Sequence, residues 1–287
     1  MNIHSFLDLN TETFTHILVS EADGVCAVID PVLDFDQKSG EFSQLGADRI
    51  ISFIRDHQLT LKYIIETHAH ADHLSSAPYI KQQLGGQIVI GQKIDEVQKT
   101  FKTVFNLSDL ATDGSQFDIL TDEGTTLMLG RITITAMHVP GHTPADMAYQ
   151  ADDGERLVVF VGDTIFAPDV GTARCDFPNG SAKNLYHSIE RILALPDETQ
   201  LYLCHDYPPK GRDYTPKTTV GEQKRHNIHV KNGISQDDFV KMRNARDKTL
   251  AVPRLILPSV QVNINAGELP QPEDNGVRYL KLPLHPL

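Results

Sequence analysis

Thr67-His68-Ala69-His70-Ala71-Asp72-His73 puts three imidazoles and a carboxylate into six consecutive positions, directly behind the apolar run Leu61-Lys62-Tyr63-Ile64-Ile65. In extended backbone alternate side chains point the same way, so His68 and His70 share a side. Asp72 and His73 can face a neighbouring position once the chain turns. One strand end can therefore serve two adjacent cation sites. A lone histidine there would read as part of a solvated turn; His-x-His-x-Asp-His behind a strand reads as a metal-binding motif.

Three more candidate ligands stand where apolar runs end. Ile132-Thr133-Ile134-Thr135-Ala136-Met137-His138-Val139 is followed by Pro140-Gly141-His142-Thr143-Pro144, which carries His142. Leu157-Val158-Val159-Phe160-Val161 is followed by Gly162-Asp163-Thr164, and Leu201-Tyr202-Leu203-Cys204 by His205-Asp206-Tyr207. Singly these are weak signals, because Gly-Asp is a common turn and a strand-terminal histidine a common cap. Together, in this order, His68, His70, Asp72, His73, His142, Asp163 and His205 resemble the seven-ligand set of the metallo-β-lactamase superfamily.

Within that superfamily, Val139 to Pro144 and Val161 to Thr164 look like the glutathione-related branch, glyoxalase II and the iron-containing persulfide dioxygenases. Gly171-Thr172-Ala173-Arg174-Cys175-Asp176-Phe177-Pro178, with Leu185 to Ile189 and Cys204 to Tyr207, is more similar to the bacterial dioxygenases. The resemblance implies an α/β fold, a four-layer αβ/βα sandwich with the metal site at one edge between the sheets. It also implies one Fe(II) per chain held by His68, His142 and Asp163, with zinc as the alternative metal. His70, Asp72, His73, His205 and Tyr207 would then surround the reaction. Two histidines and a carboxylate on one face of an octahedron leave positions open for reactants. The implied reaction takes glutathione persulfide, dioxygen and water to sulfite and glutathione. The alternative activity is a dinuclear thioester hydrolase of glyoxalase II type; a noncatalytic binding protein is a third reading, whose expected mark, loss of ligands, is missing from the sequence.

Composition sets the outer limits. With 287 residues, 40% of them hydrophobic and 22% charged, the chain suits a globular protein, read here as one catalytic domain over 1–287 with 250–287 as a packed C-terminal extension. The N-terminus carries neither a signal peptide pattern nor a membrane span, and the three cysteines Cys26, Cys175 and Cys204 suit a reducing, cytoplasmic setting. A net charge of −12 argues against nucleic acid as a partner. It leaves room for an anionic small substrate if a few cations converge locally. Arg174, Arg212 and Lys224 are the expected substrate-binding cations. A homodimer is compatible with this reading, and sulfur transfer would fall to a separate sulfurtransferase.

Short β-rich runs predict strands over residues 14–19, 25–29, 63–65, 87–90, 132–138, 157–161 and 201–204. Helical periodicity predicts helices over 47–57, 75–84, 184–195 and 237–248. Downstream of Pro253, Pro258-Ser259-Val260-Gln261-Val262-Asn263-Ile264-Asn265 alternates in a β-like pattern between proline-rich turns.

Overall fold

Every residue of Thr13–Ser20 is buried, and successive side chains leave on opposite faces, Ile17 into one apolar cluster and Leu18 into another. A strand covered on both sides belongs in the interior of a layered fold. The computed structural model, which describes residues 1–284, has that layering. The last three residues of the expected extension lie outside the described residues.

The first half runs β1 (Asn2–Asp8), β2 (Thr13–Ser20), β3 (Val25–Ile29), β4 (Val32–Asp36), β5 (Glu41–Ser43), α1 (Leu45–Asp56), β6 (Thr60–Ile65), β7 (Leu74–Ser75), α2 (Ala77–Leu84), β8 (Gln87–Gly91), α3 (Ile94–Val104) and β9 (Ile119–Thr121). The second runs β10 (Thr126–Leu129), β11 (Ile132–His138), β12 (Met147–Asp152), β13 (Leu157–Phe160), α4 (Ala182–Leu193), β14 (Gln200–Tyr202), β15 (Lys217–Thr219), α5 (Val220–His226), α6 (Gln236–Asp247) and α7 (Ile256–Asn263).

One six-stranded sheet has the order β1-β2-β3-β6-β8-β9, antiparallel up to β3 and parallel beyond it. The other follows chain order from β10 to β15 and is antiparallel except for the β13–β14 pair, which α4 connects. A small sheet, β5-β4-β7, flanks them. Leu18, Ile29 and Val89 of the first sheet pack against Ile134, Tyr149 and Phe160 of the second. The outer face of the first sheet takes α1, α2, α3 and α7 through Ile54, Ile80, Phe101 and Val260. The outer face of the second takes α4, α5 and α6 through Leu185, Val220 and Phe239. The order of layers is helix, sheet, sheet, helix: the αβ/βα sandwich.

Each expected strand and helix coincides with an observed element to within a few residues, but the tail differs. Residues 256–263 form helix α7 where alternation suggested an extended segment. The alternation misleads because the helix is covered on nearly all sides: Val260 joins the core under the first sheet, while Val262 packs with Leu33 and Leu74. Pro258 lies in the first turn, where its missing N–H breaks no intrahelical bond. Among the described residues no helix is long and apolar enough to cross a membrane.

The seam between the sheets also buries His16, whose Nε2 donates to the Leu203 carbonyl (2.8 Å) and whose ring meets Phe14, Phe160 and Tyr202. Burial pushes this imidazole down to about 4 against an ordinary value of 6.5. Between those values the unfolded chain holds a proton that the folded chain refuses. The contribution is therefore complete above pH 6.5 and is lost as pH falls towards about 4. Denaturant titrations across this window should show stability falling with acid. His16→Gln should flatten that slope by up to about 3 kcal/mol. His229, also lowered to about 4 by burial, should sustain part of it.

Candidate metal centre

The sequence positions singled out above converge at one end of the two sheets. His68 to His73 follow β6, His142 sits in the turn between β11 and β12, Asp163 follows β13, and His205 follows β14. The Met147 N–H donates to the Thr67 carbonyl at 2.9 Å and ties the two sheets together beside the motif. Gly162 turns with φ +50, and a Cβ there would stand 2.7 Å from Thr67 Oγ1. Only glycine lets Asp163 approach the histidines this closely.

Two donor groups result. His68, His142 and Asp163 place one donor each within 4.8 Å of one another, and His70, Asp72, His73 and His205 do the same. Asp163 faces both groups. Its Oδ2 lies 3.9 Å from His68 Nε2 and 3.7 Å from His142 Nε2, and its Oδ1 lies 3.4 Å from His205 Nε2. Asp72 Oδ2 stands 3.2 Å from the same His205 nitrogen.

Neighbouring groups fix which nitrogen of each ring faces inward. His142 Nδ1 donates to the Arg174 carbonyl (2.9 Å) and His205 Nδ1 to the Glu12 carbonyl (3.3 Å), leaving each Nε2 as an acceptor. A ring nitrogen held in this way is the usual support of a metal-bound histidine. The buried Thr13 hydroxyl lies 3.2 Å from His205 Nδ1 and 3.5 Å from His73 Nδ1. His68 disfavours a second proton: burial, then the neighbouring His70 imidazole, lower it well below its ordinary value.

His70 is held differently. Its Nε2 meets Asp30 Oδ1 at 3.0 Å and Glu66 Oε2 at 3.4 Å. Burial disfavours its cation, yet Asp30 and Glu66 raise it well above the ordinary histidine value. Asp30 also accepts the Thr67 N–H (2.7 Å) and hydroxyl (3.0 Å) from a left-handed backbone conformation, φ +50. Such strain in a non-glycine residue persists where surrounding contacts enforce it. From α7, Asn263 donates to the carbonyls of His70 and His73 (both 2.8 Å) and accepts the Ser75 N–H (2.9 Å), clamping the motif from below.

The donor set fits a bound metal. Buried polar atoms are nearly always paired, yet His68 Nε2, His70 Nδ1, Asp72 Oδ2, His73 Nε2, Asp163 Oδ1 and His205 Nε2 all lack a hydrogen-bond partner. The cluster opens into a cavity of about 540 Å³ with Asp72, His142 and Asp163 on its floor. Tyr207 forms part of the wall, its ring stacked on His205 at 5.7 Å and edge-on to Phe166.

The expected cations are distributed otherwise. Arg174 lines the cavity, but its guanidinium donates to Asp176 (2.6 and 2.7 Å) and to the Ala251 carbonyl (2.6 Å), fastening its own loop. Arg212 lies outside the cavity lining, bonded to the buried Asp206 (2.6 and 2.7 Å) and to Asp169 (2.6 Å). Lys224 is also outside it and pairs with Asp197 at 2.7 Å. Arg246 and Arg254, which sequence reasoning missed, stand exposed on the cavity wall with no ion-pair partner among the described residues. Asp30, at the end of the β3 run, was a recoverable signal; Thr13, Asn263 and the two arginines become recognisable only once tertiary neighbours are known. Cys175, which follows Arg174 in the same loop, is buried.

The family model described as the metallo-beta-lactamase superfamily matches residues 11–205. The chain belongs to that superfamily. Among its metallo-β-lactamase relatives, a probable metallo-hydrolase of Burkholderia pseudomallei is 51% identical over 99% of both chains. Glyoxylase B2 of Dictyostelium discoideum is 47% identical over 99% of this chain and 97% of its own. The mitochondrial persulfide dioxygenase ETHE1 of Homo sapiens is 29% identical over 89% of this chain and 84% of its own. The crystal structure of ETHE1 from Myxococcus xanthus superposes with a TM-score of 0.73 at 29% identity, covering 93% of this chain and all of that one.

Because Asp163 faces both donor groups, Asp163→Ala should lower metal retention about tenfold or more after desalting. His70→Ala should retain metal at the His68–His142–Asp163 group and lose turnover instead. Elemental analysis of the two variants, set beside their rates, checks the contrast.

Proposed function

We propose that this metallo-β-lactamase-type chain is an Fe(II)-dependent persulfide dioxygenase, converting glutathione persulfide, dioxygen and water to glutathione and sulfite. The observation that supports the reading is the compact grouping of His68, His142 and Asp163, with His70 standing in the other donor group. Two imidazoles and one carboxylate with open positions are the donor set of mononuclear non-haem iron. Bound there, ferrous iron would activate dioxygen by one-electron exchange, which closed-shell zinc cannot do, while the electrons that reduce it come from the outer sulfur of the persulfide as it becomes sulfite. The likeness to ETHE1 proteins along most of the chain supports the same reading.

The remaining residues have roles in binding and orientation. The cavity is large enough for a tripeptide thiol. Arg246 and Arg254 on its wall, without ion-pair partners among the described residues, offer guanidinium groups to carboxylates despite the acidic net charge of the chain. In this reading the sulfur terminus lies against Asp163 and Asp72 on the floor, with the Tyr207 ring on the wall beside it. Three free, buried cysteines fit a reducing, cytoplasmic setting.

A second reading has its own support. His70, Asp72, His73 and His205 form another donor group, and relatives at 47–51% identity carry hydrolase or glyoxylase names. Two metals sharing Asp163 would suit hydrolysis of a glutathione thioester.

Protein produced with adequate iron and purified anaerobically should hold about one iron per chain. It should consume oxygen with glutathione persulfide and release sulfite. Two zinc ions per chain, with thioester cleavage and no oxygen uptake, would establish the hydrolase instead. Arg246→Ala and Arg254→Ala should each raise KM for glutathione persulfide about tenfold with iron content unchanged, the scale of one lost charge-assisted bond. Lys224→Ala should leave KM where it was; steady-state kinetics on the three variants provide the comparison.

A further inference from the structure

The carbonyl that receives the Nδ1–H of His142 belongs to Arg174, in the middle of an irregular loop. An irregular loop does not hold a carbonyl in place by its own backbone bonding, so the anchors on either side of Arg174 decide where it points. On one side the Thr172 carbonyl accepts from Arg243 Nη1 at 3.0 Å. On the other the Cys175 N–H donates to Asp247 Oδ2 at 2.9 Å. The two anchoring side chains are bonded to each other, Arg243 Nε and Nη2 reaching Asp247 Oδ1 at 2.8 and 2.6 Å, one turn apart on α6. Both are buried, at 1% and 4% exposure. The Thr172 N–H is fixed as well, donating to His229 Nδ1 at 3.0 Å.

We propose that the buried Arg243–Asp247 pair is a positioning element for the candidate metal ligand His142, acting through residues 172–175 on the Arg174 carbonyl that orients its imidazole. A buried ion pair adds little stability that a well-packed apolar pair would not. What an apolar pair cannot do is grip a carbonyl and an N–H two peptides apart at the same time. Arg243 and Asp247 do both. They belong to α6, downstream of the segment 11–205 that carries all seven candidate ligands. The proposal holds for iron or zinc alike, since both bind histidine through the nitrogen left free by that hydrogen bond.

Two variants test it: Asp247→Asn, and the double replacement Arg243→Met with Asp247→Leu, which removes both charges together and so avoids leaving one buried alone. The measurements are Zn(II) affinity by chelator competition, the visible absorption of Co(II)-loaded protein, and the melting temperature of metal-free protein. The expected result is metal binding weakened about tenfold or more, with shifted Co(II) bands, while the metal-free double variant melts close to the parent. A folded variant with unchanged Zn(II) affinity and unchanged Co(II) bands would overturn the proposal. Failure of both variants to fold would overturn it too, since the pair would then be a general core element with no specific hold on the ligand.

Discussion

Desolvated imidazole and carboxylate atoms at the seam between the sheets are the constraint around which this protein is organised. Six such atoms on the candidate ligands lack a hydrogen-bond partner among the described residues. Each unsatisfied buried polar group costs about 1–3 kcal/mol, so together they rival the whole stability of a typical domain. A cation removes that cost. The site is thus a place where folding and metal binding share one free energy, and the surrounding structure keeps the donors close when mutual repulsion and hydration would separate them.

Support for those donors comes from several layers. Asp30 at the end of β3 grips Thr67 and His70, Thr13 at the start of β2 reaches His73 and His205, and Asn263 in α7 clamps the carbonyls beneath. Candidate ligands therefore follow strands from both sheets, while their supports also come from helices outside. The αβ/βα arrangement makes this convergence possible, because strands of both sheets end at the same edge.

Much of this was legible in the sequence because metal chemistry is local. His68 to His73, Val139 to Pro144 and Val161 to Thr164 carry donors at spacings that backbone geometry turns to one side, and the apolar runs before them are strands whatever the fold. The grouping of those donors was less legible, since each group joins residues that follow strands of different sheets. Cations were legible only as residue types. Arg212 and Lys224 found carboxylates in their own neighbourhood, whereas Arg246 and Arg254 were left over at the cavity wall by the path of α6 and the turn after it. The tail misread as extended shows the same limit: a helix buried on all sides loses the periodic contrast that reveals a helix in a sequence.

The clamp formed by Asn263 has a temporal side. A growing chain presents the His-x-His-x-Asp-His segment early, with β6 and β13 able to form before α7 exists. The amide that holds the carbonyls of His70 and His73 arrives only when residue 263 has been made. Until then those two carbonyls lack the amide that bridges them. The final geometry of the motif therefore depends on a residue made after His205, the last of the candidate ligands.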